Sequence, residues 1–240
     1  METVMNVPTD LETAPPQDVL QWALDRFHPR MSLACSFSAE DLVVLDMMSR
    51  IVDKPRVFML DTGRLNPETY DVADQVRARY GIEIEVYFPN TESVQSMVRE
   101  HGPNLFYRSI DLRKHCCHVR KVEPLQRALS NVDAWLTGLR REQSPTRTQI
   151  PKADVDEAHG GIYKINPIAE WTSADVWAYV RQHDVPYNAL YDQGYASIGC
   201  APCTRPVQPG ESERAGRWWW EAPEHKECGL HTAGTAKDTE

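Results

Sequence analysis

Between Met31 and Pro89 the chain passes repeatedly from a short apolar run into a helical pattern and back, and this alternation restricts the fold more than any other feature. MSLACSF (Met31 to Phe37) reads as a buried strand, followed by the polar turn SAED and the apolar-periodic helix DLVVLDMMSRI. RVFMLDT is a second strand. NPETYDVADQVRARYG is a helix ending at Gly81, and IEIEVYFP is a third strand closed by Pro89. Strands alternating with helices at this spacing predict an α/β fold, with a mainly parallel sheet and helices on both faces. Open parallel sheets bind ligands beyond the C-terminal ends of their strands, which places residues 36–40, 61–64 and 138–141 around one crevice.

Further along, a helix is expected over residues 91–101, and another begins around the Cys116-Cys117 pair and runs through VRKVEPLQRALS. DAWLTGLRRE supplies a short strand ending at Gly138. IPKADVDEAHGGIYKINPI predicts a hairpin turning near Gly160-Gly161, and TSADVWAYVRQHD a helix capped by Thr172 or Ser173. From Tyr195 the texture changes to Gly, Pro, Cys, Arg and Trp without periodicity; in RWWW at least one tryptophan is expected to pack. The expected division is an N-terminal extension with a helix over 1–25, an α/β domain over 26–195, which the resemblance described below implies to be nucleotide-binding, and a C-terminal segment over 196–240 whose last ten residues are disordered.

With 240 residues, 41% of them hydrophobic, the chain can bury one sizeable core. A net charge of −9 argues against non-specific nucleic-acid binding, although a local basic cluster can still hold a small anion. There is no apolar run of about eighteen residues, and the acidic, proline-bearing N-terminus lacks signal-peptide order. The expectation is a cytoplasmic protein. Its six cysteines (Cys35, Cys116, Cys117, Cys200, Cys203, Cys228) then serve metal binding or catalysis rather than disulfides.

KHCCHVRK and GCAPCTRP carry Cys116, Cys117, Cys200 and Cys203. Vicinal cysteines make poor disulfides, and a C-x-x-C closed by Ala-Pro suits two thiolates facing one metal centre. Zinc and an iron–sulfur cluster both accept four cysteines, so ligand identity does not choose between them. An adjacent pair is awkward for one tetrahedral ion but reaches two corners of a cubane. Cys35 lies in an apolar strand and reads as core. Cys228, in KECGLH, has no partner cysteine; His225, Lys226 and His231 supply positive charge that favours a nucleophilic thiolate.

An anion site is suggested by Ser36 and Ser38, whose hydroxyls and backbone amides sit at a helix start. SFSAED lacks the glycines and the Lys-Ser/Thr ending of a Walker A loop. Arg64, Lys121, Arg140, Arg141, Arg147, Arg205, Arg214 and Arg217 lie in loops or beside the cysteine motifs, and several of them converging would hold a dianion.

Taken together, SFSAED, LDTGRLNPETY, the cysteine pair with VRKVEPL, TGLRREQSPTR, YNALYDQGYASIGCAPCTRP, GRWWWE and KECGLH resemble the assimilatory adenylylsulfate (APS) reductases of the phosphoadenylylsulfate (PAPS) reductase family. The resemblance covers roughly residues 30 to 232 and implies the adenine-nucleotide alpha-hydrolase-like (PP-loop) fold. It implies that Cys116, Cys117, Cys200 and Cys203 ligate a 4Fe–4S cluster and that Cys228 is the catalytic nucleophile. Lys121 would lie between cluster and substrate. Arg147, Arg214, Arg217 and His231 would lie near the phosphosulfate, and Ser36, Ser38, Leu60, Gly63 and Gly138 would hold the adenosine and phosphate. Many relatives carry a glycine in the first loop where this chain has Ser38 or Ala39.

The implied reaction is attack of the Cys228 thiolate on the sulfur of APS, with AMP leaving and an S-sulfocysteine remaining. Reduced thioredoxin, or a glutaredoxin-like reductant, then releases sulfite through a mixed disulfide, with no flavin or nicotinamide. The resemblance also implies a homodimer or homotetramer. Rival readings are reduction of the 3'-phosphorylated substrate PAPS, a PP-loop tRNA sulfurtransferase, and a metal-stapled binding module in which Cys228 is dispensable. The acidic charge and the lack of a clear SGGxD loop count against the sulfurtransferase.

Overall fold

In the computed structural model, which describes residues 7–222, 225–226 and 229–230, the apolar runs become six short strands. These are β1 (Met31–Ala34), β2 (Val57–Leu60), β3 (Ile84–Tyr87), β4 (Ala134–Leu136), β5 (Ala153–Asp156) and β6 (Ile162–Ile165). They form one sheet in the order β3-β2-β1-β4-β6-β5. Every neighbouring pair is parallel except β5 with β6, the predicted hairpin, whose turn places Gly160 and Gly161 at positive φ. The chain moves outward from β1 through β2 to β3, then returns to β4 on the other side of β1. That reversal makes the C-terminal ends of β1 and β4 the topological switch point of the sheet.

Seven α-helices accompany the sheet among the described residues: α1 (Pro16–Phe27), α2 (Ala39–Ser49), α3 (Pro67–Tyr80), α4 (Thr91–His101), α5 (Ile110–Cys117), α6 (Glu123–Leu129) and α7 (Ser173–His183). The period-two alternation of the strands sorts their side chains onto two faces. Leu33, Val57, Met59, Leu136 and Ile165 pack with α1, α2, α3 and α7 in the larger core. Phe58 and Trp135 point the other way, onto Leu125, Ala128 and Leu129 of α6. Helices therefore cover both faces, as the alternation predicts. α2 is buried on every side from Ala39 to Met48, which accounts for its nearly continuous apolar sequence. α1 contributes Val19, Leu20, Ala23, Leu24 and Phe27 to the larger core, so the N-terminal helix is part of the α/β body.

Two local expectations are corrected. β1 stops at Ala34 instead of continuing to Phe37, because Phe37 takes a left-handed backbone (φ 59°) that no strand accommodates. The cysteine pair does not begin a helix; it closes one. α5 starts at Ile110, capped by the Ser109 hydroxyl, and ends at Cys117. One π-helical turn (His118–Val122) then leads into α6. Pro124 gives the physical reason: it has no amide for the carbonyl four residues back, and its ring crowds that carbonyl, so the ladder widens. A third, smaller cluster forms here, in which Met97, Leu105, Phe106, Val119 and Trp218 surround Cys116, Cys117 and Cys203.

Candidate active site

A cavity of about 190 Å³ opens at the switch point, between the loop after β1 and the loop after β4. Its apolar wall includes Phe58, Leu60, Leu125, Trp135 and Leu139, while Ser36, Ser38, Lys121, Arg147, Arg214 and Arg217 supply polar and cationic groups. Asp41 ties the two loops together. Its carboxylate accepts hydrogen bonds from the Ser36 amide (2.7 Å), the Ser36 hydroxyl (2.7 Å) and the Gly138 amide (3.1 Å). The Ser38 hydroxyl accepts from the Asp41 amide at 3.3 Å as the N-cap of α2. Burial pushes the Asp41 carboxyl above its ordinary value, against the bonds from Ser36. The approach requires glycine at position 138: a Cβ there would lie 2.6 Å from Asp41 Oδ1 and 2.7 Å from the Asp41 amide nitrogen.

Of the eight cations that the sequence suggests, four line this cavity and four do not. Arg141 pairs with Glu12 and Glu170, and Arg205 with Glu211. Arg64 donates to the Pro103 carbonyl and to Asn104, and Arg140 is buried among Glu40, Glu142 and Glu213. Within the lining set, Arg147 Nη1 donates to Gln143 Oε1 (2.7 Å) and Arg214 Nη2 to the Lys226 carbonyl (2.8 Å). Arg217 donates to the Ile198 carbonyl (3.1 Å) and stacks over Trp218, while its buried Nε finds no hydrogen-bond partner. It passes so close to Gly199 that a Cβ there would sit 2.3 Å from Nη2.

Beside the cavity, and sharing Lys121, Arg217 and Trp218 with it, lies a cleft lined by Cys116, Cys117, Cys200 and Cys203. None of the four is in a disulfide, and none of them is exposed. Among the described residues no three His, Cys, Asp or Glu side chains gather closely enough for a single metal ion. The thiols line a cleft rather than meet at a point. Cations ring it: Arg64, Arg113, Arg120 and Lys121, of which Arg120 keeps a buried, unpartnered Nε. Burial raises the Cys203 thiol to about 12 and also pushes Cys116 up. Burial acts the same way on Cys200, yet Lys121, the Thr62 hydroxyl at 3.3 Å, Arg217 and Arg120 together bring it below its ordinary value. The donor set suits a multinuclear thiolate-ligated group: four soft ligands in a dry site, with positive charge to offset thiolates.

Comparison with known proteins decides the family. Residues 30–206 match the phosphoadenosine phosphosulfate reductase domain. The chain belongs to this family. An adenosine 5'-phosphosulfate reductase of Burkholderia cepacia is 52% identical over 89% of this chain and 85% of its own. A solved structure of phosphoadenylyl-sulfate (PAPS) reductase from Candida auris, a phosphate complex, is 34% identical, with TM-score 0.69 over 85% of this chain and 100% of that one. The FMN adenylyltransferase of Candida glabrata shares the fold alone, at 13% identity and TM-score 0.58 over 88% of this chain and 72% of its own.

Within this reductase-family fold, Ser36, Ser38, Leu60, Lys121, Gly138, Arg147, Arg214 and Arg217 all line the one cavity. Gly63 does not; it turns the chain behind it at φ 68°, with its amide donating to Asp61 Oδ1 at 2.8 Å. Cys228, His231 and the last ten residues lie outside the described residues. Cys35, read as core, is buried and also faces the cavity. Thr62 falls in the stretch 61–64 expected at the crevice, and Trp218 is the tryptophan of RWWW that packs; sequence reasoning missed Asp41 and Gln143. Asp41 had a signal, since it stands three residues after the N-cap serine, where an acidic side chain reaches back to loop amides. Gln143 is placed by its bond to Glu40, 103 residues away, and had none. No helix among the described residues is long and apolar enough to cross a membrane.

Proposed function

We propose that this chain reduces adenosine 5'-phosphosulfate to sulfite and AMP in assimilatory sulfate reduction, working in the cytoplasm with reduced thioredoxin. The observation that carries the proposal is a switch-point cavity with apolar and cationic lining groups, which shares Lys121, Arg217 and Trp218 with a four-thiol cleft. The name of the Burkholderia cepacia relative supports the same reading. The adenine packs against the apolar wall. Ser36 and Ser38 at the start of α2 take the 5'-phosphate, and Lys121, Arg147, Arg214 and Arg217 offset the charge of the phosphosulfate.

The Cys228 thiolate attacks the sulfur, the bond from sulfur to the bridging oxygen breaks, and AMP leaves with the electron pair. His231 and the arginines stabilise the leaving phosphate. A thioredoxin thiolate then attacks Cys228 Sγ and expels sulfite. Its second thiol resolves the mixed disulfide, so the dithiol supplies both electrons. Cys116, Cys117, Cys200 and Cys203 would hold a 4Fe–4S cluster. Bound there, the cluster supplies a fixed field and a scaffold next to Lys121.

The test is intact-protein mass spectrometry after anaerobic incubation with APS and no thioredoxin, with Cys228→Ser as control. A sulfonate adduct confined to the wild type and discharged by thioredoxin is the expected result. An adduct formed only with the 3'-phosphorylated substrate would replace APS by PAPS as substrate, and no adduct with either would overturn the reaction.

A further inference from the structure

The cavity proposed to hold a phosphosulfate is also lined by three carboxylates: Asp41, which joins the Ser36 and Gly138 loops, and the pair Glu40 and Glu213. Glu40 and Glu213 would repel a dianion. Arg140 stands behind them, 1% exposed and not itself part of the lining. Its Nε and Nη2 donate to Glu40 Oε1 at 3.1 and 2.8 Å, and Nη2 also reaches both Glu213 oxygens at 3.0 and 3.1 Å. Nη1 donates to Glu142 at 3.2 Å. Glu40 opens α2 directly after the serine loop, and Glu213 immediately precedes Arg214.

The same hub reaches the third anion-binding loop through Gln143. Gln143 Oε1 accepts from the Arg140 amide (3.2 Å) and from Arg147 Nη1 (2.7 Å), and Gln143 Nε2 donates to Glu40 Oε1 (3.1 Å). Two donors on Oε1 and an acceptor on Nε2 leave the amide only one orientation, so Arg147 is aimed by it. We propose that Arg140 is a positioning residue that joins the three anion-binding loops and offsets part of the charge of Glu40 and Glu213, while Gln143 aims Arg147 at the phosphosulfate. Arginine suits the task because one planar fork serves several carboxylates at once; a lysine supplies a point charge.

This inference rests on the nucleotide reading above and is tested on binding rather than turnover. AMP and adenosine are titrated calorimetrically into the full chain and its Arg140→Met and Arg140→Lys variants. Arg140→Met should weaken AMP about tenfold or more, the scale of a lost charge-assisted contact, and change adenosine by no more than about twofold. Arg140→Lys should fall between, and it carries the test if the methionine variant does not fold. Adding Glu40→Gln and Glu213→Gln to Arg140→Met should recover most of the AMP affinity, an effect that a purely structural role would not produce. AMP binding unchanged in either variant, or AMP and adenosine weakened alike, overturns the role of Arg140. A wild type that binds neither ligand overturns the nucleotide reading, and this inference with it.

Discussion

Replacing Gly138 by alanine tests the central geometric claim, that the loops after β1 and β4 meet at a contact too close for any side chain. The new Cβ would lie 2.6 Å from Asp41 Oδ1, 2.7 Å from the Asp41 amide nitrogen and 2.8 Å from the Glu40 carbonyl carbon. Two of these three atoms are backbone at the first turn of a buried helix, so no rotamer change relieves the overlap. Overpacking of this kind costs about 1–3 kcal/mol. Moving the loop away lengthens the 3.1 Å bond from the Gly138 amide to Asp41, which adds about 1 kcal/mol. The sum, roughly 2–4 kcal/mol, lowers the melting temperature of a chain this size by about 4–16 °C. The assay is thermal unfolding alongside AMP titration, because separating the loops also widens the phosphate end of the cavity. Gly81→Ala is the control: it carries the strain of a left-handed position (φ 62°) but meets nothing within 4 Å, so it should cost about 1 kcal/mol and leave AMP binding unchanged. A Gly138→Ala protein within about 0.5 kcal/mol of wild type, with unaltered AMP affinity, would refute the reasoning.

Two further outcomes are expected. The hydrogen bond from Arg56 holds the Glu85 carboxyl below its ordinary value despite partial burial, so this stabilisation is complete above the ordinary carboxylate value and disappears as pH falls through the lowered one. Glu85→Gln should therefore cost less than about 1 kcal/mol at neutral pH, since the pair is a third exposed, and urea melts of the two proteins should converge in acid; a constant gap would remove this account. Cys203→Ser should lose most of its iron and acid-labile sulfide after anaerobic reconstitution, together with the visible cluster absorption. Wild-type iron content and spectrum in that variant would exclude Cys203 as a ligand.

The parallel sheet was legible because its signal is periodic and local. Each strand carries side chains for both faces, and α7 and α3 announce their limits through the Thr172–Asp175 capping box of the one and Gly81 after the other. The end of β1 was not legible, because Phe37 adopts a left-handed conformation that phenylalanine does not advertise. The π-helical turn after the cysteine pair carried a signal in Pro124, but a proline near a helix start more often marks its first turn. What decides here is that α5 is already running when the proline arrives.

The cavity cations show where local reading ends. Arg140 and Arg141 are adjacent in sequence with Arg147 six residues on, and composition gives all three equal claim on an anion. Their fates differ because the carboxylates that meet them come from elsewhere: Glu12 from the segment before α1, Glu170 from the turn before α7, and Glu40 and Glu213 from opposite ends of the chain. Pairing across 29 to 129 residues leaves no local pattern, whereas a C-x-x-C pair does, so the four thiols could be grouped from sequence and the arginines could not. The same pairing explains how a chain of net charge −9 can hold an anion-binding cavity. The charges around a cavity set its potential, and Arg140, by offsetting part of the charge of Glu40 and Glu213 from behind, shifts that potential toward positive.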